Sequence, residues 1–163
     1  MATPIFACGF ECGVFGGHGA TGPTSAAGAF DTATVRSGAR SLRANVSGGT
    51  LGGAYFTIPS TNILVARVYV YFATLPTTDA TLATMGISQS PGAYFKASDS
   101  KIYAGYVGNY GATGISVTTG VWYRLDVKID VSANPWLIDV SVNGTACGQG
   151  SRATTASAGT TFY

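Results

Sequence analysis

The chain has 163 residues, of which 10% are charged, and its nine Lys and Arg residues exceed its seven Asp and Glu residues to give a formal net charge of +2. Globular domains usually carry about 25% charged residues, so this composition predicts a neutral, hydroxyl-rich surface. Nucleic-acid binding is disfavoured, because following a phosphate backbone requires a dense basic stripe, whereas Arg36, Arg40 and Arg43 form the only cluster here. We expect one domain, residues 1–163, with a core of its own.

The apolar segments of the sequence disfavour two further classes of protein, membrane-spanning proteins and proteins secreted through a signal peptide. No apolar run approaches the roughly 20 residues that cross a bilayer, and the N-terminus lacks the basic start and unbroken apolar core of a signal peptide. We therefore expect no membrane contact and no classical secretion, with the fold beginning directly after the first methionine.

Taken in chain order, the predicted elements are nearly all short strands. Residues 6–12 are predicted to form the first strand, and residues 13–29 a flexible Gly-rich loop. Further strands are predicted at 42–46, 54–58, 63–72, 82–87, 93–97, 101–107 and 115–118. The turn Ser98-Asp99-Ser100 joins two of them. Short strands at this spacing, separated by turn residues, are typical of a β-sandwich or a barrel.

The strand at 63–72 and the segment from 121 to 144 have the clearest alternation. Leu64, Ala66, Val68, Val70 and Phe72 are predicted to face one way, while Arg67, Tyr69 and Tyr71 face the other. The odd positions from Val121 to Val131 are apolar, with charged residues between them. The pattern breaks at Ala133-Asn134-Pro135, resumes from Trp136 to Val142, and reaches the hairpin dipeptide Asn143-Gly144. This segment predicts antiparallel strands with one face in the core and one in water.

Six short motifs give the chain a resemblance to a known superfamily. They are GFECG at 9–13, FDT at 30–32, SGARSLRA at 37–44, VARVYVYF at 65–72, TTGVWYRLDVKID at 118–130 and IDVSVNG at 138–144. In this order they resemble the concanavalin A-like, LamG-type jelly rolls. The resemblance implies an all-β fold in which two antiparallel sheets form a sandwich. It does not fix a function, because the superfamily includes lectins, glycanases, carbohydrate-binding modules and phage tail, fibre and capsid-surface domains.

The resemblance also implies a last strand that returns beside the first. Here residues 160–163 read as the start of such a strand. We expect either that the final strand lies after residue 163 or that another chain completes the sheet edge, since an uncovered edge invites uncontrolled pairing.

The acidic residues do not form the pattern of a glycosidase. Such enzymes need two carboxyl groups that face each other across the substrate. Glu11 is the only glutamate, and Asp126 and Asp130 alternate with Arg124 and Lys128, which indicates a solvated strand with cross-strand ion pairs. The single histidine, His18, is not accompanied by a GxSxG motif, and no phosphate-binding loop is present. We expect no enzymatic activity and no cofactor.

Tyrosine is unusually dense in the middle of the chain and supplies the candidate binding residues. These are Tyr69, Tyr71, Tyr94, Tyr103, Tyr106 and Tyr110. A phenol combines a flat apolar face with a hydroxyl suited to a sugar or a protein partner, although tyrosine is also a good packing residue of sheets. Trp122 and Trp136 are predicted to belong to the core or to its border.

Two further sites remain open at the level of sequence. The resemblance implies a candidate calcium site at Glu11, with Asp31 as a second ligand, but one or two carboxylates are few for a cation that takes six or more oxygens. Cys8, Cys12 and Cys147 are odd in number. Either all are free thiols, or Cys147 forms a disulfide with Cys8 or Cys12 and closes a long loop.

These observations favour a non-enzymatic virion structural protein: a capsid decoration or a tail or fibre component on the surface of the extracellular particle. Its expected partners are other virion proteins or copies of itself, so that a homo-oligomer is expected, with cell-surface glycans as a further contact. The alternative is a free carbohydrate-binding module or lectin. A neutral, tyrosine-rich surface suits both, and the absence of a secretion signal favours the first.

Overall fold

A computed structural model describes residues 28–44, 56–87, 90–106, 108–152 and 158–162. The chain divides into two compact units, one of Met1–Pro59 with Tyr163 and one of Ser60–Phe162. Each unit is described separately below.

The first unit contains a β-hairpin of β1 (Gly28–Asp31) and β2 (Ser41–Ala44), paired antiparallel from Gly28↔Ala44 to Asp31↔Ser41. β1 therefore takes in the last two residues of the expected loop at 13–29, and the rest of that loop lies outside the described residues, as does the predicted strand 6–12. The next strand, β3 (Phe56–Thr61), crosses from the first unit into the second.

The second unit holds the remaining strands. They are β4 (Ile63–Tyr71), β5 (Ala80–Thr84), β6 (Gly92–Lys96), β7 (Lys101–Tyr106), β8 (Asn109–Tyr110), β9 (Ile115–Ser116), β10 (Trp122–Asp130), β11 (Trp136–Val142), β12 (Thr145–Ala146), β13 (Gly150–Arg152) and β14 (Gly159–Phe162). No helix occurs in the described ranges.

These strands form two five-stranded antiparallel sheets that pack together. The β10 sheet has the order β12-β11-β10-β4, with β13 also on β11, and the β7 sheet has the order β5-β6-β7-β8, with β9 also on β7. β14 reaches the unit through a bridge between Phe162 and Met85. The predicted all-β, antiparallel two-sheet β-sandwich is thus confirmed, while the jelly-roll connectivity stays a prediction.

The core lies between the two sheets and follows the alternation of the sequence. Leu125, Ile129 and Ile138 of the β10 sheet are fully buried, as are Phe95 and Ile102 of the β7 sheet. Charged residues of β10 lie on the opposite face, as predicted. Val121 was expected in the core but is 43% exposed. It follows a turn at Thr119-Gly120 and precedes β10, so it lies beyond the end of the sheet that would cover it.

The β10 sheet is centred on a long pairing between strands that are distant in sequence. β4 and β10 pair without interruption over nine positions, from Ile63↔Asp130 to Tyr71↔Trp122. The whole β7 sheet, from Ala80 to Ser116, lies between them in the chain. The pairing therefore fixes which face of β4 joins the core, because a slip by one residue would turn every side chain to the other face.

Local turn chemistry sets the register between β11 and β12. Asn143 and Gly144 both have positive φ, +52° and +87°, as a two-residue type I′ hairpin requires. The flanking residues Val142 and Thr145 pair directly. The side-chain oxygen of Asn143 also accepts a hydrogen bond from the backbone N–H of Arg124 at 2.9 Å, which connects this turn to β10. The predicted hairpin is confirmed.

Two valines of the β10 sheet test the assignment of its faces. Val127 is 1% exposed and Val65 is 72% exposed. We expect Val127→Ala to lower the free energy of unfolding by about 2 kcal/mol, because burial and packing of the side chain are lost. Val65→Ala, the matched control, should change it by less than about 0.5 kcal/mol. Denaturant unfolding measures both, and equal effects would contradict the assigned faces.

Candidate functional site

The six candidate tyrosines do not form one site. Tyr69 and Tyr71 lie on β4, on the face of the β10 sheet that points away from the core. Tyr94, Tyr103 and Tyr110 belong to the β7 sheet, where they form a separate cluster. Tyr106 makes no ring contact with either group in the described part of the chain, and it lies under the guanidinium of Arg152. The sequence analysis placed five of the six in predicted strands and Tyr110 between two of them, but whether they share a face depends on which strands pair.

The outer face of the β10 sheet presents apolar side chains beside charged ones. We call this surface, made by the outward residues of β4, β10 and β11, the outer face. Its most exposed apolar residues are Val65 at 72% and Ile63 at 48%. The rings of Tyr71 and Trp122, a directly paired couple of β4 and β10, pack at 5.3 Å between centroids. Trp122 is half-buried on this face, so it is not part of the core between the sheets.

The centre of the outer face is an ion network on one carboxylate. Arg67 Nε donates to Asp126 Oδ1 at 2.5 Å, and Arg124 Nε lies 2.9 Å from Asp126 Oδ2. Burial alone would raise the pKa of Asp126, but the hydrogen bond from Arg67 and the charges of both arginines outweigh it and lower the pKa. Asp126 is therefore an ionised structural group, which agrees with the predicted cross-strand ion pairs.

An open groove of about 560 Å³ crosses the sheet at this level. It runs over β4, β10, β11 and the end of β12, and its polar lining includes Arg67, Asp126, Lys128, Asp139 and Ser141. Opposite charges alternate along it, so the groove has no strong preference for an anion or for a cation.

The tyrosines of the β7 sheet are largely buried and are bonded within the chain. Tyr94 and Tyr103 are a directly paired couple of β6 and β7, and they are 3% and 7% exposed. Tyr110 packs against both, with ring centroids at 5.9 and 5.7 Å. Lys96 Nζ lies 5.6 Å from the Tyr103 ring centroid, in cation–π range.

Carboxylates and a carbonyl hold the three hydroxyls of this cluster. Tyr110 donates to Asp79 Oδ2 and Tyr103 to Asp99 Oδ2, each at 2.6 Å, and Tyr94 donates to the Ser90 carbonyl. The hydrogen bond from Tyr110 lowers the pKa of Asp79. The hydrogen bond to Asp99, with burial, raises the pKa of Tyr103 to about 12, and burial raises that of Tyr94 to about 12.

The backbone closes over this cluster at Gly114. A Cβ atom at this position would lie 2.4 Å from the Tyr103 ring. This close approach of the backbone to the ring therefore requires a residue without a side chain. The cluster is therefore a packed and satisfied part of the β7 sheet. It offers a ligand neither an open ring face nor a free hydroxyl at Tyr103.

Tyr106 belongs to a third arrangement at the other end of β7. The Arg152 guanidinium lies 5.3 Å from the Tyr106 ring centroid and 5.1 Å from that of Trp136. Trp136 is 1% exposed, as expected for a core residue, and its indole N–H has no hydrogen-bond partner in the described part of the chain. A small depression beside Tyr106 and Tyr110 is also lined by Asn109, Gln149 and Ser151.

The candidate metal and disulfide residues are placed only in part. Glu11, Cys8 and Cys12 lie outside the described residues. Asp31 Oδ1 accepts hydrogen bonds from the N–H groups of Ala33 and Thr34 at 2.8 and 3.4 Å, a local turn motif. No group of three or more metal-ligating side chains occurs among the residues that the structure describes. The calcium site stays a prediction.

Cys147 is a buried free thiol whose Sγ lies 3.4 Å from the Ile102 carbonyl oxygen. Burial raises the pKa of this thiol to about 11. Because both proposed partners, Cys8 and Cys12, lie outside the described ranges, the disulfide is not tested.

All six aspartates in the described ranges are engaged in structural bonds. Asp130 Oδ1 accepts from Ser132 and Asp139 Oδ1 from Gln149, while Asp31, Asp79, Asp99 and Asp126 have the partners given above. None of these contacts is an arrangement of two carboxyl groups that face each other across an open space. The expectation that the chain is not an enzyme stays a prediction.

Comparison with known proteins adds no relative. No family model, no curated protein and no solved structure matches this chain. No helix long and apolar enough to cross a bilayer is present in the described ranges.

Alkaline titration tests the Tyr103–Asp99 bond. In the wild type, Tyr94 and Tyr103 should each titrate at about pH 12, above the ordinary value of 10. Asp99→Asn removes the charged acceptor, so the pKa of Tyr103 should fall while that of Tyr94 does not move. NMR of the tyrosine ring carbons measures both, with Asp139→Asn as the control. A fall of both pKa values in Asp99→Asn would contradict the pairwise bond.

The same pKa shifts determine how the free energy of unfolding changes with pH. Because the pKa of Tyr103 is raised in the folded state, the stabilisation by Tyr103 is fully present below pH 10 and is lost as the pH rises through about 12. Asp79 acts at acid pH and in the opposite direction, because its pKa is lowered in the folded state. The stabilisation by Asp79 is fully present above its ordinary pKa of 3.8 and is lost as the pH falls through its pKa in the folded state.

Proposed function

We propose that this chain is a non-enzymatic structural protein that acts by assembling, as a virion component such as a capsid decoration or a tail or fibre protein. Its partners are copies of itself or other virion proteins. The observation that carries the proposal is the outer face, where β-branched apolar side chains remain exposed on a regular sheet. Single exposed apolar residues are common on monomers, but Ile63 and Val65 are neighbours on the outward side of β4, and the Tyr71–Trp122 pair lies at the far end of the same strand.

The chemistry of the remaining residues supports an assembly role over a catalytic one. The described aspartates are used in hydrogen bonds, and the buried tyrosines of the β7 sheet are used in packing. The outer face is left as the surface on which apolar and charged side chains are presented together. Interfaces between proteins combine aromatic and arginine residues in the same way.

Self-association tests this proposal. We expect light scattering of the purified protein to give a molar mass above 16.6 kDa that rises with concentration. Val65→Asp should weaken association about tenfold or more, because a charge replaces an apolar contact. Val121→Asp is the matched control, since Val121 is an exposed valine that precedes β10 rather than lying within the sheet. A wild-type monomer at all concentrations would overturn the proposal.

The Tyr71–Trp122 pair favours a second candidate function, that of a carbohydrate-binding module. The two half-buried rings on a sheet face provide the apolar contact that a sugar ring uses, and Arg67 and Asp126, four residues further along the same two strands, offer polar groups at the groove.

Glycan retention separates this candidate from assembly. Trp122→Ala should abolish binding to a glycan array without dissociating an assembled protein, if sugars bind at the pair. Tyr106→Ala, which changes a tyrosine that lies under Arg152 and away from the outer face, should leave retention unchanged. Failure of the wild type to bind any glycan would exclude this candidate.

A further inference from the structure

Arg152 is held by aromatic rings rather than by an acidic side chain. Its guanidinium carbon lies 5.3 Å from the Tyr106 ring centroid and 5.1 Å from that of Trp136. Tyr106 ends β7, and Trp136 begins β11, where it pairs directly with Arg152 of β13. One ring therefore comes from each sheet, and the two contacts restrict the position of the cation.

Two glycines bring these elements together. A Cβ atom at Gly150 would lie 3.0 Å from the Cα atom of Gly105, so β13 passes β7 with the two backbones nearly in contact. Tyr106 follows the first of these glycines in the chain, and Arg152 lies two residues after the second. Because backbone packing sets this approach, the guanidinium is positioned before a ligand arrives, which lowers the entropic cost of binding.

No acidic side chain of the described residues neutralises Arg152. The two ion pairs found there join Arg67 and Arg124 to Asp126. The other aspartates of the second unit bond to tyrosine, serine, glutamine or backbone groups. A ring face attracts the cation but offers no lone pair, so the N–H donors of Arg152 have no acceptor in the described part of the chain.

The donors of Arg152 are accessible from outside. The buried side-chain nitrogens without a hydrogen-bond partner in the described ranges include none of its atoms. They do include the indole nitrogen of Trp136, so a second donor beside the guanidinium has no acceptor. The site therefore has an excess of donors. This favours a ligand group that accepts hydrogen bonds without donating any, as an ionised carboxylate does.

A carboxylate matches this site better than a phosphate does. One guanidinium offers a single positive charge and a planar fork of donors, which a carboxylate meets with one negative charge and two oxygens in a plane. A phosphate group carries more charge, about −1.5 to −2 at neutral pH. Among the described residues, Arg152 is the one cation that lies over Tyr106 or Trp136.

The polar depression beside Tyr106 adjoins the guanidinium. It has a volume of about 230 Å³, and Asn109 and Ser151 contribute to its lining. Asn109 pairs with Tyr106, and Ser151 precedes Arg152 in β13. Both side chains are exposed and make no hydrogen bond in the part of the chain that the structure describes. An amide and a hydroxyl can both donate and accept, as the peptide groups beside an acidic residue require.

We propose that Arg152 binds the carboxylate of an acidic side chain, presented by a peptide segment of a partner protein. The guanidinium holds the carboxylate through two parallel N–H···O bonds, and Asn109 and Ser151 contact the adjoining peptide groups. Arginine, tyrosine and tryptophan are also the residue types that dominate binding energy at protein interfaces. The site lies away from the outer face, so this inference goes beyond the assembly function and does not depend on it.

Titration with a short peptide tests the site. The probe is a blocked tripeptide with aspartate between two glycines, and the same peptide with asparagine is the neutral control. At constant ionic strength, we expect the aspartate peptide to give saturable shifts of the Arg152 Nε–H and Trp136 indole resonances in NMR spectra of the full chain. The asparagine peptide should shift neither. Equal shifts with both peptides would overturn the carboxylate assignment.

Substitution of Arg152 tests whether its guanidinium is the binding group. Arg152→Gln should weaken binding of the aspartate peptide about tenfold or more, followed at the Trp136 indole resonance, because charged hydrogen bonds are lost. Arg152→Lys keeps a cation over the rings but not the planar fork, and it should weaken binding about threefold or more. Thermal unfolding checks that both variants fold, and Arg152→Lys provides the test if Arg152→Gln does not.

Lys101→Gln is the matched control for net charge. It removes one positive charge at the opposite end of β7 from Tyr106, and it should leave binding unchanged. An equal loss in Lys101→Gln, or binding that persists in Arg152→Gln, would overturn the site.

Two further results would overturn the inference. Tighter binding of inorganic phosphate than of the aspartate peptide would make this a phosphate site. The absence of a saturable shift with the aspartate peptide would leave Arg152 as a packing residue. Self-association is measured separately by light scattering, so each of these results leaves the assembly function standing.

Discussion

The pairing of β4 with β10 is the constraint on which the rest of the second unit depends. It joins two strands that the whole β7 sheet separates in sequence, and its uninterrupted register sets Leu64 and Ile129 on the core face while it sets Arg67 and Asp126 on the outer face. The core, the ion network and the Tyr71–Trp122 pair all follow from that one alignment. Forming this pairing is costly, because the entropy of a long loop must be lost before its contacts form.

The sequence was sufficient for most of the fold because the alternation in this chain is strong. The strands at 63–72 and 121–131 were placed within one or two residues, and the Asn143-Gly144 hairpin was identified from the dipeptide alone. Val121 was misplaced because periodicity does not show where a sheet ends. The short strands β8, β12 and β13 gave no pattern, since two or three residues cannot establish a period and these strands are defined by their neighbours.

The candidate site was harder to predict, for a physical reason. Parity within one strand indicates which residues share a face of that strand, but tyrosines on different strands meet only if the strands pair. Tyr94 and Tyr103 meet because β6 and β7 form a hairpin, while Tyr69 and Tyr71 belong to the other sheet. The burial of Tyr103 could not be predicted either. The backbone at Gly114 lies directly against the Tyr103 ring, which is possible only because residue 114 has no side chain. The outward position of Trp122 could have been predicted from the pattern, since Trp122 occupies an even position of a strand whose odd positions are buried.

The position of Cys147 gives the molecule an internal reporter. Its thiol is buried between the two sheets, against the Ile102 carbonyl, and its raised pKa keeps it protonated at neutral pH. A reagent in solution reacts with the thiolate, so this buried and protonated sulfur is modified through local opening of the chain around Cys147. The rate of reaction at Cys147 therefore reports how often that part of the sheet opens.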